Sequence, residues 1–126
     1  MPRLLVIAAL VVVGVVIACG GSESATEDIE ASLLELAAQI DQIIGEATCD
    51  LTNQCRVIPV GSKPCGGPWS YRAYSTVDTD VSALETTVTR FSSLQAELNQ
   101  RTGADSDCML VTEPAVRCVS GRCVTQ

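Results

Sequence analysis

Histidine is absent from the 126 residues, lysine occurs once, and aromatic residues make up 3% of the chain. Without histidine there is no imidazole to act as general base or metal ligand. A serine triad of the Ser-His-Asp kind is excluded, and no Gly-x-Ser-x-Gly elbow occurs. Basic residues are also scarce: 8 against 15 acids, for a formal net charge of −7. That balance argues against nucleic acid as a partner and against electrostatic docking on anionic lipid. Cys-x-x-Cys, the thioredoxin-type redox spacing, is missing as well. No internal repeat is evident, and the length allows one domain. These absences point away from an enzyme and away from a bound cofactor.

The chain does carry an N-terminal targeting pattern. Met1-Pro2-Arg3 is a short positive start, Leu4 to Ala18 is uncharged and apolar, and the first acid is Glu23. A basic start, an apolar stretch of this length and small residues at its end describe a secretory signal peptide. Val16-Ile17-Ala18-Cys19 resembles the lipobox of bacterial lipoproteins. The resemblance implies cleavage after Ala18 and acylation of Cys19, with the lipid as the protein's contact with the membrane. Multiple acyl chains, at about 0.8 kcal/mol per buried methylene, anchor stably where one does not. Gly20 rather than Asp after the cysteine favours the outer membrane if the cell is Gram-negative. An uncleaved membrane anchor is the competing reading, since the uncharged run from Leu4 to Ser22 approaches the ~20 residues that span a bilayer. Removing 18 of the 126 residues leaves 108, with seven basic and fifteen acidic side chains.

Seven cysteines is heavy usage. With Cys19 committed to lipid, Cys49, Cys55, Cys65, Cys108, Cys118 and Cys123 remain. An even number in an oxidising compartment reads as three disulfides. A zinc site is disfavoured, because close cysteine pairs are lacking apart from Cys118 and Cys123 and no histidine is available. Chain order prefers Cys65 with Cys108, and Cys49 and Cys55 with Cys118 and Cys123. A local Cys118–Cys123 bridge across a Ser120-Gly121 turn is the rival, because a two-residue turn sets those residues opposite each other.

Residues 19–26 read as a flexible tether and 27–126 as one disulfide-rich domain. Ser24 and Glu27 have capping-box spacing. Ile29, Leu33, Leu36, Ile40, Ile43 and Ala47 then recur on one helical face, broadened by Leu34, Ala37, Ala38 and Ile44, over about 26–45. Cys55 to Val60 is β-branched and reads as a strand ending near Pro59. Gly61 to Trp69 is punctuated by glycine and proline and reads as a loop. Ser75 or Asp78 can begin a second helix. Its stripe is Val77, Val81, Leu84, Val88, Phe91, Leu94 and Leu98, and Gly103 serves as its cap. Met109 to Val111 is a candidate short strand, and residues 115–119 and 122–125 form a hairpin. The expected fold is α+β: two amphipathic helices packed on a small antiparallel sheet of three strands, 55–60, 115–119 and 122–125.

The candidate binding loop lies at 61–74, with Lys63, Pro64, Gly66, Gly67, Trp69, Tyr71 and Tyr74 as its residues. Aromatics on a disulfide-fixed loop lose little entropy on contact and suit recognition. The alternative is that Trp69 and the tyrosines close the end of the core, since aromatics bury large areas. Asp105, Asp107 and Glu113 could approach a cation, but they lack the twelve-residue calcium-loop pattern, so no metal is assigned. Cys55-Arg56, the Gly61 to Pro68 loop, the Tyr-Ser ending, Ser106-Asp107-Cys108 and Gly121-Arg122-Cys123-Val124 resemble a group of small cysteine-containing secreted or lipid-anchored bacterial proteins. The resemblance covers roughly 45–125 and implies a cysteine framework without an activity.

The expected function is a lipid-anchored envelope protein, not an enzyme, that binds another protein or an envelope component. The alternative is an inhibitor of an extracytoplasmic protease or other hydrolase acting through the 61–74 loop, with Lys63-Pro64-Cys65 as one form of its contact. An enzyme would instead require paired carboxylates meeting in a pocket.

Overall fold

A computed structural model describes residues 21–126; the expected signal peptide at 1–18, the stretch that resembles a lipobox and the expected lipidation site Cys19 lie outside the described residues. The chain runs α1 (Gly21–Ile44), a single 3-10 turn (Thr52–Gln54), β1 (Cys55–Val60), β2 (Ser70–Ser75), α2 (Val81–Thr102), β3 (Val116–Val119) and β4 (Arg122–Thr125). The fold is α+β and disulfide-stabilised, with two helices and two small antiparallel sheets.

Helix α1 buries Ile29, Leu36, Ile40 and Ile44 on one face. It ends at Gly45, whose φ of 55° is left-handed and whose N–H reaches the Asp41 carbonyl at 2.9 Å. Its start corrects the expected tether, because residues 21–26 are already helical. Nothing from Ser22 to Glu27 breaks a helix, and Glu23 in the first turn suits the positive end of the macrodipole. Ser24 and Glu27 therefore lie inside the helix rather than at its start.

Helix α2 also starts elsewhere than expected. Asp80 caps it, its carboxylate accepting from the Ala83 N–H at 3.0 Å. Ser75 is instead the fully buried last residue of β2. Asp78 takes the Thr48 N–H at 3.2 Å and the Thr48 hydroxyl at 2.9 Å. Val77, ahead of the helix, is exposed. Gly103 closes α2 in the left-handed region, as the pattern predicts. The helices pack antiparallel. Ile40 and Ile44 share the core with Leu84 and Val88, and farther along Leu33 and Ala37 lie beside Phe91 and Gln95.

The expected three-stranded sheet is replaced by two hairpins. β1 pairs with β2 from Cys55↔Ser75 to Val60↔Ser70. β3 pairs with β4 from Val116↔Thr125 to Val119↔Arg122. Ser120 and Gly121 both have positive φ, 51° and 78°, and make the tight turn whose twist matches its strands. The free edge of β4 meets residues 47–49: the Cys49 N–H donates to the Gly121 carbonyl and the Cys123 N–H to the Ala47 carbonyl, both at 2.9 Å. Met109 to Val111 is not a strand.

Three bridges join distant parts of the chain: Cys49–Cys118, Cys55–Cys123 and Cys65–Cys108, with Cα separations of 6.0, 5.4 and 5.3 Å. The long-range preference holds and the local rival does not. Cys118 and Cys123 are opposite each other in the hairpin. Cross-strand neighbours project to the same side, and there each meets a cysteine of the 49–55 segment. Cys49, Cys55 and Cys123 join Ile58, Tyr74, Leu84 and Val88 in one buried cluster.

Candidate functional site

The candidate loop 61–74 comprises the nine-residue connection of the β1–β2 hairpin, 61–69, and most of strand β2, and α2 holds the connection in place. The Gly61 N–H donates to the Ser92 hydroxyl at 3.1 Å. The Ser62 N–H donates to Gln95 Oε1 at 2.7 Å, and Asn99 Nδ2 donates to the Ser62 carbonyl at 2.8 Å. Ser92, Gln95 and Asn99 follow one another at helical steps of three and four, so one stripe of α2 binds the loop backbone. These three supporting residues were missed in the sequence; their signal is that polar stripe beside the apolar one. Gly61 is the tightest point, with a φ of 89°. A Cβ there would come within 2.6 Å of Gln95 Oε1 and 3.0 Å of Trp69 Cδ1.

Beyond Ser62 the chain folds back on itself. The Lys63 N–H donates to the Gly67 carbonyl and the Gly66 N–H to the Lys63 carbonyl, each at 2.9 Å. Gly66 and Gly67 form the exposed tip, and Pro64 is half-buried behind it. Lys63 points inward and is only 5% exposed, which corrects its reading as the outward contact of an inhibitor loop. A buried ammonium requires partners, and it has three. Nζ donates to Asp107 Oδ1 at 3.0 Å and to the Met109 carbonyl at 2.8 Å, and it lies 5.0 Å from the centre of the Trp69 ring. Lys63 thus fastens one loop to another.

The aromatics do not form one surface. Tyr71 and Tyr74 are three residues apart on β2 and fall on opposite faces. Tyr74 is buried in the core, Tyr71 is half-buried opposite Pro59, and Trp69 is 43% exposed. Core closure describes Tyr74. Trp69 alone of the three is exposed.

The second loop spans residues 104–115, none of which lies in a helix, strand, turn or bend. Asp107 is its fastening point. Its Oδ1 takes the Lys63 ammonium and also the Met109 N–H at 3.1 Å. The Lys63 hydrogen bond, followed by that of Met109, holds the Asp107 carboxyl below the usual carboxylate range. Asp105 and Glu113 are exposed, while Asp107 is turned to the lysine. Next to Asp107, Cys108 makes the bridge to Cys65.

Two other features fall short of a site. A groove of about 590 Å3 runs between the β1 end of the loop and α2, lined by Ile58, Pro68, Glu85 and Ser92 among others. The sulfurs of Cys49, Cys55 and Cys123 lie within 4.8 Å of one another, as soft-metal ligands would, but all three are engaged in disulfides. Among the described residues no helix is long and apolar enough to cross a membrane. Comparison with protein-family models, with curated proteins and with solved structures found no match.

Proposed function

We propose that the protein is a lipid-anchored component of a bacterial cell envelope, at the outer membrane in a Gram-negative cell, which binds a protein or another envelope component and is not an enzyme. The observation that carries this reading is the set of three long-range disulfides. Such bridges persist in oxidising compartments outside the cytoplasm, and the lipobox at Cys19 gives the same address independently. Binding is supported by the paired loops. A covalent bridge and a buried lysine hold exposed side chains on backbone that is already ordered, so little freedom is lost on contact. Acylated Cys19 would sit two residues before the first turn of α1, keeping the domain close to the bilayer.

Intact mass spectrometry of the membrane-extracted protein tests this. The expected mass is that of residues 19–126 plus lipid, less six hydrogens for the three bridges. Retention of residues 1–18, or an unlipidated Cys19, would overturn the anchor.

A further inference from the structure

The three bridges do not sit in equal surroundings. Cys55 and Cys123 are both buried, and Cys49 is buried beside its half-buried partner Cys118. All four belong to the core cluster or pack against it. Cys65 and Cys108 are both exposed and lie outside it. Cys108 is also held at a left-handed φ of 53°, which a residue with a side chain rarely adopts. Thiol–disulfide exchange needs access to a sulfur, and exposed bridges are the labile ones. What this bridge holds is equally distinct. No residue from 104 to 115 is buried. Among the described residues, 105–114 are hydrogen-bonded to another part of the chain only through Lys63, at Asp107 and the Met109 carbonyl. One covalent bond and one ammonium therefore fasten a loop that has no buried side chain of its own. Such segments open locally at low cost once a tie is cut.

We infer that Cys65–Cys108 is a redox switch for the paired loops: a dithiol of the Cys-x-x-Cys class reduces it selectively, and the 104–115 loop, then held by Lys63 alone, opens while the rest of the domain stays folded. A thiolate of the reductant attacks one sulfur of the bridge, forms a mixed disulfide and expels the other cysteine as a thiolate. The second thiolate of the reductant then attacks the mixed disulfide and releases the first cysteine. Two electrons and two protons pass to the bridge, so Cys65 and Cys108 end as thiols and the reductant ends as a disulfide. The Cys49–Cys118 and Cys55–Cys123 bridges still join the 49–55 segment to the β3–β4 hairpin. Lys63, two residues before Cys65, binds Asp107, next to Cys108, and so keeps the two thiols within reach of each other for re-oxidation. The inference rests on the reading of the protein as an extracytoplasmic binding protein and adds its regulation. The fixed backbone that makes contact through the paired loops inexpensive is present in the bridged form and lost in the reduced one.

The test uses the full, oxidised protein extracted in detergent and treated, without denaturant, with graded dithiothreitol as the probe dithiol. Aliquots are quenched with iodoacetamide and mapped by peptide mass spectrometry. Cys65 and Cys108 are expected to be alkylated first, at least about tenfold faster than the other four cysteines, with far-ultraviolet circular dichroism unchanged. In that two-thiol form thermolysin should cut at Leu110 or Val111 at least about tenfold faster than in the oxidised protein. The double variant Cys65→Ala, Cys108→Ala should be cut at the rate of the reduced form. Oxidised glutathione should restore the Cys65–Cys108 bridge in an aliquot left unalkylated. Loss of all three bridges together, earlier loss of a buried bridge, or unfolding when Cys65–Cys108 alone is reduced would overturn the inference. So would equal thermolysin rates in the oxidised and reduced forms, a double variant as resistant as the oxidised protein, or failure of the bridge to re-form. The intact mass of the same sample reports lipid on Cys19 separately, so failure of the switch and failure of the anchor are told apart.

Discussion

Removing the Cys65–Cys108 bridge as the double variant Cys65→Ala, Cys108→Ala isolates what a crosslink contributes to this domain. Both cysteines are exposed, so alanine leaves no core cavity. Taken alone, a sequence separation of 43 corresponds to about 4 kcal/mol of loop-closure entropy. The bridge is nested inside the other two, however, which remain in the unfolded chain. The shortest path from Cys65 to Cys108 then runs through Cys55–Cys123 and covers only about 25 residues, which lowers the expected loss to about 3.5 kcal/mol. For a domain of this size that is a fall in Tm of roughly 15–25 °C. Urea and thermal unfolding under non-reducing conditions measure both quantities. A loss below about 1 kcal/mol would refute the reasoning, because it would mean that the unfolded chain is already confined there without the crosslink.

Three further outcomes follow from single side chains. Thr79 is buried and its hydroxyl has no hydrogen-bond partner; Thr79→Val should raise stability by about 1 kcal/mol in urea unfolding, and a loss would show that the hydroxyl is satisfied. Gly61→Ala forces a Cβ against Gln95 and Trp69 at a left-handed φ, so it should destabilise by more than about 1 kcal/mol in the same assay. Asp107 has a lowered pKa in the fold, so its stabilising contact is present above the unfolded value of about 3.9 and is lost as pH falls through the lower folded value. Trp69, the sole tryptophan, lies over Lys63 and should report that change in fluorescence below about pH 4. The change should vanish in Lys63→Met, and a transition centred above pH 4 would contradict the sign.

Much of the domain was legible in the chain. The steps of three and four from Ile29 to Ile44 and from Val81 to Leu98 are the two helices, since only one face of each meets the core. Gly103 as a helix end and Ser120-Gly121 as a tight turn follow from the left-handed backbone those positions adopt. The reading of six cysteines as three bridges follows from their even number, and the preference for long-range pairs from chain order. β2 was not legible. Its residues, Ser70-Tyr71-Arg72-Ala73-Tyr74-Ser75, come directly after a glycine- and proline-rich stretch and share its reading as a loop. Their strand character comes from pairing with β1, whose partners lie ten to twenty residues away along the chain.

Tertiary structure decided what local pattern leaves open. Lys63 has the composition of a surface residue and becomes buried because Asp107, the Met109 carbonyl and the Trp69 ring converge on it. Tyr71 and Tyr74 are separated by strand alternation, which places one in the core and the other outside it. Leu110 reads as part of a short strand and is instead, among the described residues, the most exposed of the large apolar side chains. The physical reason is common to all three. Helix periodicity, caps and turns depend on neighbours within a few residues, whereas burial of a charge or exposure of an apolar group depends on segments that meet only after the chain has closed its loops.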